Sequence, residues 1–218
     1  MSPQQSAAES HELKRDRYRG ALLGLACGDA VGTTVEFMPR GSFPPVTDMV
    51  GGGPFSLAAG KWTDDTSMAL CLAESLVVKG AFDAHDQMTR YANWYEWGDW
   101  SSTGICFDIG LTTRAAIQRF LLTREPFAGS EDPNTAGNGS LMRLVPIAMA
   151  FGHDELLLQR RAAESSRTTH AASECLDACK VFAVALSRAL HGRSKSEVLD
   201  LDMSQVGSAK IAAIGAVD

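Results

Sequence analysis

Two adjacent carboxylates flanked by hydroxyls, Thr63-Asp64-Asp65-Thr66, stand where an apolar helix begins in the segment GKWTDDTSMALCLAESL. Oxygen donors with no Cys or His beside them suit Mg²⁺, Ca²⁺ or Mn²⁺ rather than zinc. Two ionised neighbours also repel each other unless something positive lies between them. The competing reading is structural, because Asp and Thr at a helix start accept from the free N–H groups of the first turn and complement the macrodipole. On spacing alone the two readings balance, since paired aspartates are common on acidic surfaces.

Two further segments carry groups with chemical reach. In NTAGNGSLMRLVP, Asn138-Gly139-Ser140 precedes an apolar run, so backbone N–H groups and the Ser140 hydroxyl could face an anion such as phosphate, with capping by Ser140 as the simpler alternative. Thr169-His170 opens the segment that runs to His191, and a histidine at a helix start is more often a polar contact than a catalyst.

The elements that must position these groups read as helices. Met68, Leu72 and Leu76 recur every four residues after the TDDT turn, with Thr63 or Asp64 as the natural N-cap. Periodic segments follow at HDQMTRYANWYEW, FDIGLTTRAAIQRFLL, GSLMRLVPIAMAFG, DELLLQRRAAESSR and HAASECLDACKVFAVALSRALHG, and strand-like alternation is almost absent. Pro146 should kink or start a helix. Gly20, Gly24, Gly28 and Gly32 form a stripe whose propensity cost, about 1 kcal/mol each, implies close backbone contact and a central, tightly packed helix, with Asp29 capping or bonding inside it. Pro39 through Gly60 reads as a long loop leading to the TDDT turn, a length that usually serves a site. Trp94, Tyr95, Trp97 and Trp100 read as core or wall rather than a ligand platform. These elements predict an all-α fold with a single compact multi-helix domain over residues 18–218, preceded by a polar, disordered lead-in at 1–17.

Composition narrows the function. The chain has 218 residues, 45% apolar and 21% charged, enough for a sizeable core. A formal charge of −6 argues against nonspecific nucleic-acid binding, which needs clustered Lys and Arg. An anionic ligand would therefore need local help from a cation, helix N-termini or a few arginines. Five cysteines without a CxxC pair suggest buried thiols in a reducing cytosol. No stretch approaches the roughly 20 apolar residues that span a bilayer, so a soluble, cytoplasmic protein is expected.

Taken together, GLACGDAVGTTVEF, KWTDDTSMALCLAESL, CFDIGLTTRAA, GNGSLMRLVPIAM and SRTTHAASECLDACKVFA resemble the ADP-ribosylglycohydrolase family, in order and at familiar separations. Within it the chain looks most similar to the dinitrogenase reductase-activating glycohydrolases. The resemblance implies an all-α fold and a two-magnesium or two-manganese site that cleaves the N-glycosidic bond between ADP-ribose and a protein side chain, typically arginine. Its partners would be ADP-ribose and an ADP-ribosylated protein. By position, Thr63, Asp64 and Asp65 match the family's N-terminal metal ligands, and Asp65 with Glu36 its catalytic acids, Glu36 near the reacting ribose. Asp108 matches a loop aspartate that holds substrate, Gly139 and Ser140 the diphosphate segment, and His170 a histidine near the ligand's ribose.

The chain departs from the family pattern twice. Leu111 follows the DIG triplet where a polar residue is frequent, removing a hydrogen bond to substrate. The family's C-terminal DTDT-type motif, which supplies the other metal carboxylates, does not occur before Asp218, so the chain resembles a truncated member. Ions of this type take roughly six oxygen ligands each, which Thr63, Asp64, Asp65 and Glu36 cannot supply for two sites. The alternatives kept open are a catalytically weak relative that binds ADP-ribose, a structural relative without ligand, and an unrelated phosphohydrolase with an oxygen-ligand metal.

Overall fold

The computed structural model describes residues 3–204 and 206–214, with side chains from His11 onward. Helix α1 runs Pro3–Gly32, α2 Asp64–Lys79, α3 Ala84–Trp97, α4 Leu111–Thr123, α5 Val145–Phe151, α6 Glu155–Arg167, α7 Ser173–Leu190, α8 Lys195–Leu199 and α9 Ala209–Ile214. Short 3-10 turns occupy Thr33–Val35 and Pro133–Thr135. Among the described residues there is no strand, only isolated bridges at Gly52–Leu57 and Ser130–His170, so the all-α expectation holds. No helix among them is long and apolar enough to cross a membrane.

Side chains at i, i+3 and i+4 share a helix face, and the core is built where such faces meet. From α2 come Met68, Cys71 and Leu72, from α3 Met88, Tyr91 and Trp94, and from α4 Ile117 and Phe120. Ile147, Leu158 and Cys179 close the other side from α5, α6 and α7. Full burial of each large apolar side chain is worth roughly 1.5–3 kcal/mol, so this cluster dominates the stability of the bundle. The helix ends are locally encoded. Asp83 accepts from the Asp86 amide at 2.9 Å, Asp154 from the Leu157 amide at 3.0 Å, and Gly80 and Gly98 end α2 and α3 in the left-handed conformation.

Several expectations are corrected. The glycine-striped helix is not central, because α2 holds that place and α1 lies at the edge of the core, touching it through Tyr18 and Ala21. A methyl group added at Gly20, Gly24, Gly28 or Gly32 would meet no described atom within 4 Å, so the close contact expected of the stripe is absent there. α1 begins at Pro3, inside the segment expected to be a lead-in. The GSLMRLVPIAMAFG segment turns through Ser140–Arg143 and becomes helical only at Val145, with Pro146 in the first turn where its missing N–H is harmless. Of the aromatic cluster only Trp94 is fully in the core, while Trp97 and Trp100 are exposed. Cys71, Cys175 and Cys179 are buried as expected, but Cys27 is exposed.

Candidate active site

The TDDT turn is organised by a residue far away in sequence. Asp29, near the C-terminal end of α1, accepts the Thr63 amide at 2.9 and 3.0 Å, the Thr63 hydroxyl at 2.8 Å, the Thr66 amide at 3.1 Å and the Thr66 hydroxyl at 2.6 Å. Thr63 occupies the N-cap position of α2, yet its own side chain caps nothing. The capping carboxylate is supplied by α1 instead, and it meets both the free N–H groups and the positive end of the helix dipole. With Asp29 doing the capping, Asp64 and Asp65 are left free to face a cavity of about 560 Å³.

That cavity gathers most of the residues expected at a site. Glu36, Asp64, Asp65 and Asp108 line it together with Gly139 and His170. Glu36 follows the 3-10 turn after α1, Asp108 lies in the loop before α4, and Gly139 and His170 come from two later turns. Thr63 and Ser140 are not in the lining. Thr63 is buried with its hydroxyl on Asp29, and Ser140 is 2% exposed with its oxygen accepting from Ser166 at 2.8 Å. The Ser140 hydroxyl therefore neither faces an anion in the cavity nor caps a helix.

The acidic wall has no internal compensation. Asp64 is pushed up to about 9 by burial first, then by Asp65 and Asp108. Asp65 is pushed up to about 6 by burial, then by Asp29 and Glu36. Asp108 rises to about 7 through burial, then through Glu36, which both repels its charge and accepts a hydrogen bond from its protonated form. Asp64, Asp65 and Asp108, which resist ionising together, call for protons or a cation between them. Asp108 and Phe37 each hold positive φ, 58° and 62°, a conformation costly for side chains other than glycine, so the two loops that flank Glu36 and α4 carry strain at the cavity edge.

The opposite wall is different in kind. Gly137, Asn138 and Gly139 form a tight turn against His170, and a Cβ at Gly139 would lie 2.7 Å from His170 Cε1 and 3.0 Å from Thr113 Oγ1. Only glycine fits there. His170 is driven down to about 3 by burial first and by the Arg143 charge second, so it is neutral across the physiological range. Arg114, in the first turns of α4, is the cationic side chain among the described lining residues. Sequence reasoning did not single it out, although an arginine four residues after the Gly110 that precedes α4 was a visible signal. Asp29 was noticed only as a local bond former, and no sequence feature tied it to residue 63. Phe37 and Phe55 form an aromatic edge at 6.4 Å between ring centroids.

The fit to a divalent cation can be judged from the donors. Asp64 and Asp65 offer hard oxygens, repel each other, and have no basic partner among the described residues, which suits such an ion in kind. In number they fall short, since among the described residues no group of three or more His, Cys, Asp or Glu side chains is set to hold a metal. These residues would make one part of a coordination shell, the remainder coming from water or other donors.

Comparison with known proteins follows the same lines. A family model described as ADP-ribosylglycohydrolase matches residues 10–216. "ADP-ribosylarginine hydrolase Tri1" of Pseudomonas putida is 50% identical over 188 residues, 86% of this chain and 50% of that protein. "ADP-ribosyl-[dinitrogen reductase] glycohydrolase" of Rhodospirillum rubrum is 40% identical over 146 residues, 63% of this chain and 46% of that protein. A solved structure titled "ADP-ribosylglycohydrolase-related protein complex" superposes with a TM-score of 0.75 at 46% identity, covering 88% of this chain and 65% of that one. The chain thus spans about half the length of the curated relatives it matches.

Proposed function

The chain belongs to the ADP-ribosylglycohydrolase family, and from that premise we propose that it hydrolyses the N-glycosidic bond between ADP-ribose and a protein side chain, arginine being the linkage. The observation that carries the proposal is the two-sided cavity, with carboxylates on one wall and a glycine turn with a neutral histidine on the other. The relatives' names supply the linkage to arginine. In the reaction the water oxygen bonds to the anomeric carbon, the C–N bond breaks, and the departing guanidine takes a proton.

The roles follow from position in the cavity. Glu36 accepts a proton from the attacking water or faces the positive charge that builds on the ribose ring, as glycosidase carboxylates do. Asp108, held near 7 by burial and by Glu36 beside it, can meet a ribose hydroxyl as donor or acceptor. Gly137 and Gly139, on either side of Asn138, let the backbone approach the diphosphate without side-chain bulk, and Arg114 supplies charge in the lining. Asp64 and Asp65, with the buried Thr63 behind them, are the residues that would hold Mg²⁺ or Mn²⁺. That ion would supply charge to orient ribose hydroxyls and to acidify a bound water.

The test is release of ADP-ribose from an arginine-ADP-ribosylated protein, with Mg²⁺ or Mn²⁺ and with excess chelator. Chelator-sensitive release that disappears in Asp64→Asn is the expected result. Full release by Asp64→Asn would sink the metal assignment. Binding of ADP-ribose without release would leave the chain a binder rather than a hydrolase.

A further inference from the structure

Arg143 is 0% exposed, and its recorded polar partners are neutral. Among the described residues no carboxylate lies within ion-pair distance of it. Nη1 donates to the Gly139 carbonyl at 2.7 Å, and Nη2 donates to Thr169 Oγ1 at 2.8 Å, with Ser165 O and Thr168 Oγ1 at 3.4 and 3.3 Å. The guanidinium also lies 4.6 Å from the centre of the Tyr91 ring. A buried charge without a counter-ion is costly, so these neutral partners must be held firmly. Two of them belong to segments that line the cavity, because Gly139 is in its wall and Thr169 precedes His170.

The chain of hydrogen bonds settles which proton goes where. A guanidinium has only donors, so Thr169 Oγ1 must accept from Arg143. Its single hydroxyl proton is then available to His170 Nδ1, 2.8 Å away, and no other acceptor for it occurs among the described residues. An N–H at Nδ1 would instead leave the threonine proton without an acceptor at a residue that is 0% exposed. Nδ1 is therefore the acceptor and the ring proton sits on Nε2. Nε2 lies on the side of the glycine turn, with Cβ positions at Gly137 and Gly139 falling 3.7 and 3.1 Å from it. Burial and the nearby guanidinium keep the ring from taking a second proton.

We propose that Arg143 is a positioning residue that, through Thr169, holds His170 as the neutral Nε2–H tautomer and so presents one fixed hydrogen-bond donor to the cavity beside the Gly137–Gly139 turn. The donor suits an oxygen of an anionic or hydroxylated ligand. Its protonation state owes nothing to the acidic wall opposite. That this oxygen belongs to ADP-ribose rests on the function proposed above, whereas the tautomer does not.

The experiment uses the full chain labelled with ¹⁵N-histidine and a long-range ¹H–¹⁵N correlation. For His170 the expected pattern is an unprotonated Nδ1, a protonated Nε2 and no titration between about pH 5 and 8. Thr169→Val, which keeps the shape and leaves Arg143 its other acceptors, removes the hydrogen bond that Nδ1 accepts and should move the unprotonated Nδ1 resonance downfield, and Thr169→Ser should restore the original pattern. An Nδ1–H or charged His170 in the unmodified chain, or an unchanged Nδ1 resonance in Thr169→Val, overturns the proposal. Calorimetry with ADP-ribose adds a second readout. Affinity should fall roughly three- to tenfold in Thr169→Val, about the worth of one neutral hydrogen bond, and return in Thr169→Ser. Equal affinity in Thr169→Val would overturn the donor role. If the unmodified chain bound no ADP-ribose, the proposed function would fall while the tautomer measurement still decided the positioning role.

Discussion

Asp29→Asn should unfasten the start of α2 without changing side-chain volume. The aspartate accepts contacts from Thr63 and Thr66 at 2.6–3.1 Å, including two backbone amides at the N-terminus of the helix. An asparagine keeps one oxygen and turns the other position into a donor, and the amide settles with its nitrogen in the Oδ1 place, because there the Thr63 hydroxyl can rotate to accept and the Thr63 N–H still reaches the remaining oxygen at 3.0 Å. The Thr66 contacts then survive, but every bond to the carboxylate is now made to a neutral acceptor. Exchanging charged for neutral acceptors costs about 1 kcal/mol, and loss of charge at the helix end about 0.3–1 kcal/mol more. Relief of repulsion works the other way, since Asp29 raises both Asp64 and Asp65. That relief is partial, because those carboxyls already escape repulsion by taking up protons. The net expectation is a loss of about 1–2 kcal/mol, equivalent to a Tm lower by roughly 2–8 °C for a chain of this size. Urea unfolding followed by circular dichroism at constant pH with chelator present measures it, and faster hydrogen exchange at the Thr63 and Thr66 amides would locate the damage. A change below about 0.5 kcal/mol with exchange at both amides unaltered would refute the capping role of Asp29.

The open glycine stripe and the acidic wall give two more expectations. Gly24→Ala and Gly28→Ala should each stabilise this chain by about 0.5–1 kcal/mol, because alanine restores helix propensity and its methyl group meets nothing within 4 Å; equilibrium denaturation showing a loss instead would mean that the stripe is packed in solution. In chelator, stability should fall as pH rises from about 7 to 9, since Asp64, held near 9 in the fold, stays protonated there longer than in the unfolded chain. Carboxylates held low, such as Glu74, Asp86 and Asp177, titrate in acid and contribute a constant over that window, while neutral His170 lowers stability only below its unfolded value of about 6.5. Excess Mg²⁺ or Mn²⁺ should flatten the alkaline slope by favouring ionised carboxylates, and scanning calorimetry across pH with and without the ion reads the difference.

The fold was legible where its signals are local. Helical periods, the Asp83 and Asp154 caps and the start at Pro146 are each written within a few residues of where they act, and the structure follows them. The chemistry was legible where residues cluster in sequence, which is why Asp64 and Asp65 stood out before any geometry was known. What could not be read depends on distance along the chain. Asp29 meets Thr63 and Thr66 only because α1 packs on α2, and no periodicity encodes that meeting. Ser140 shows the opposite failure. Its place after Asn138-Gly139 resembles an anion-binding turn, yet the turn rolls its hydroxyl inward to Ser166 and Cys179, leaving the glycine backbone at the surface of the cavity. The glycine stripe carried a real cost in propensity, but its compensation does not lie within these described residues.

A chain with a net charge of −6 has a particular difficulty with the anionic ligand of the proposed function, and the cavity would meet it by separating charge from contact. Its carboxylates stand together on one wall, where burial and mutual repulsion leave them in need of protons or a cation. On the other wall the positive charge of Arg143 is sealed behind Gly139 and Thr169, out of reach of those carboxylates as ion partners. What this wall offers the cavity is the field of that charge together with neutral donors that cannot form an ion pair with the acidic wall, while Arg114 is the one arginine among the described lining residues. An exposed lysine in the same place would instead be drawn across a cavity of about 560 Å³ to Asp65 or Glu36, closing the space a diphosphate needs. For the proposed function, the burial of Arg143 is what would allow an acidic wall and an anion-binding wall to face each other in one site.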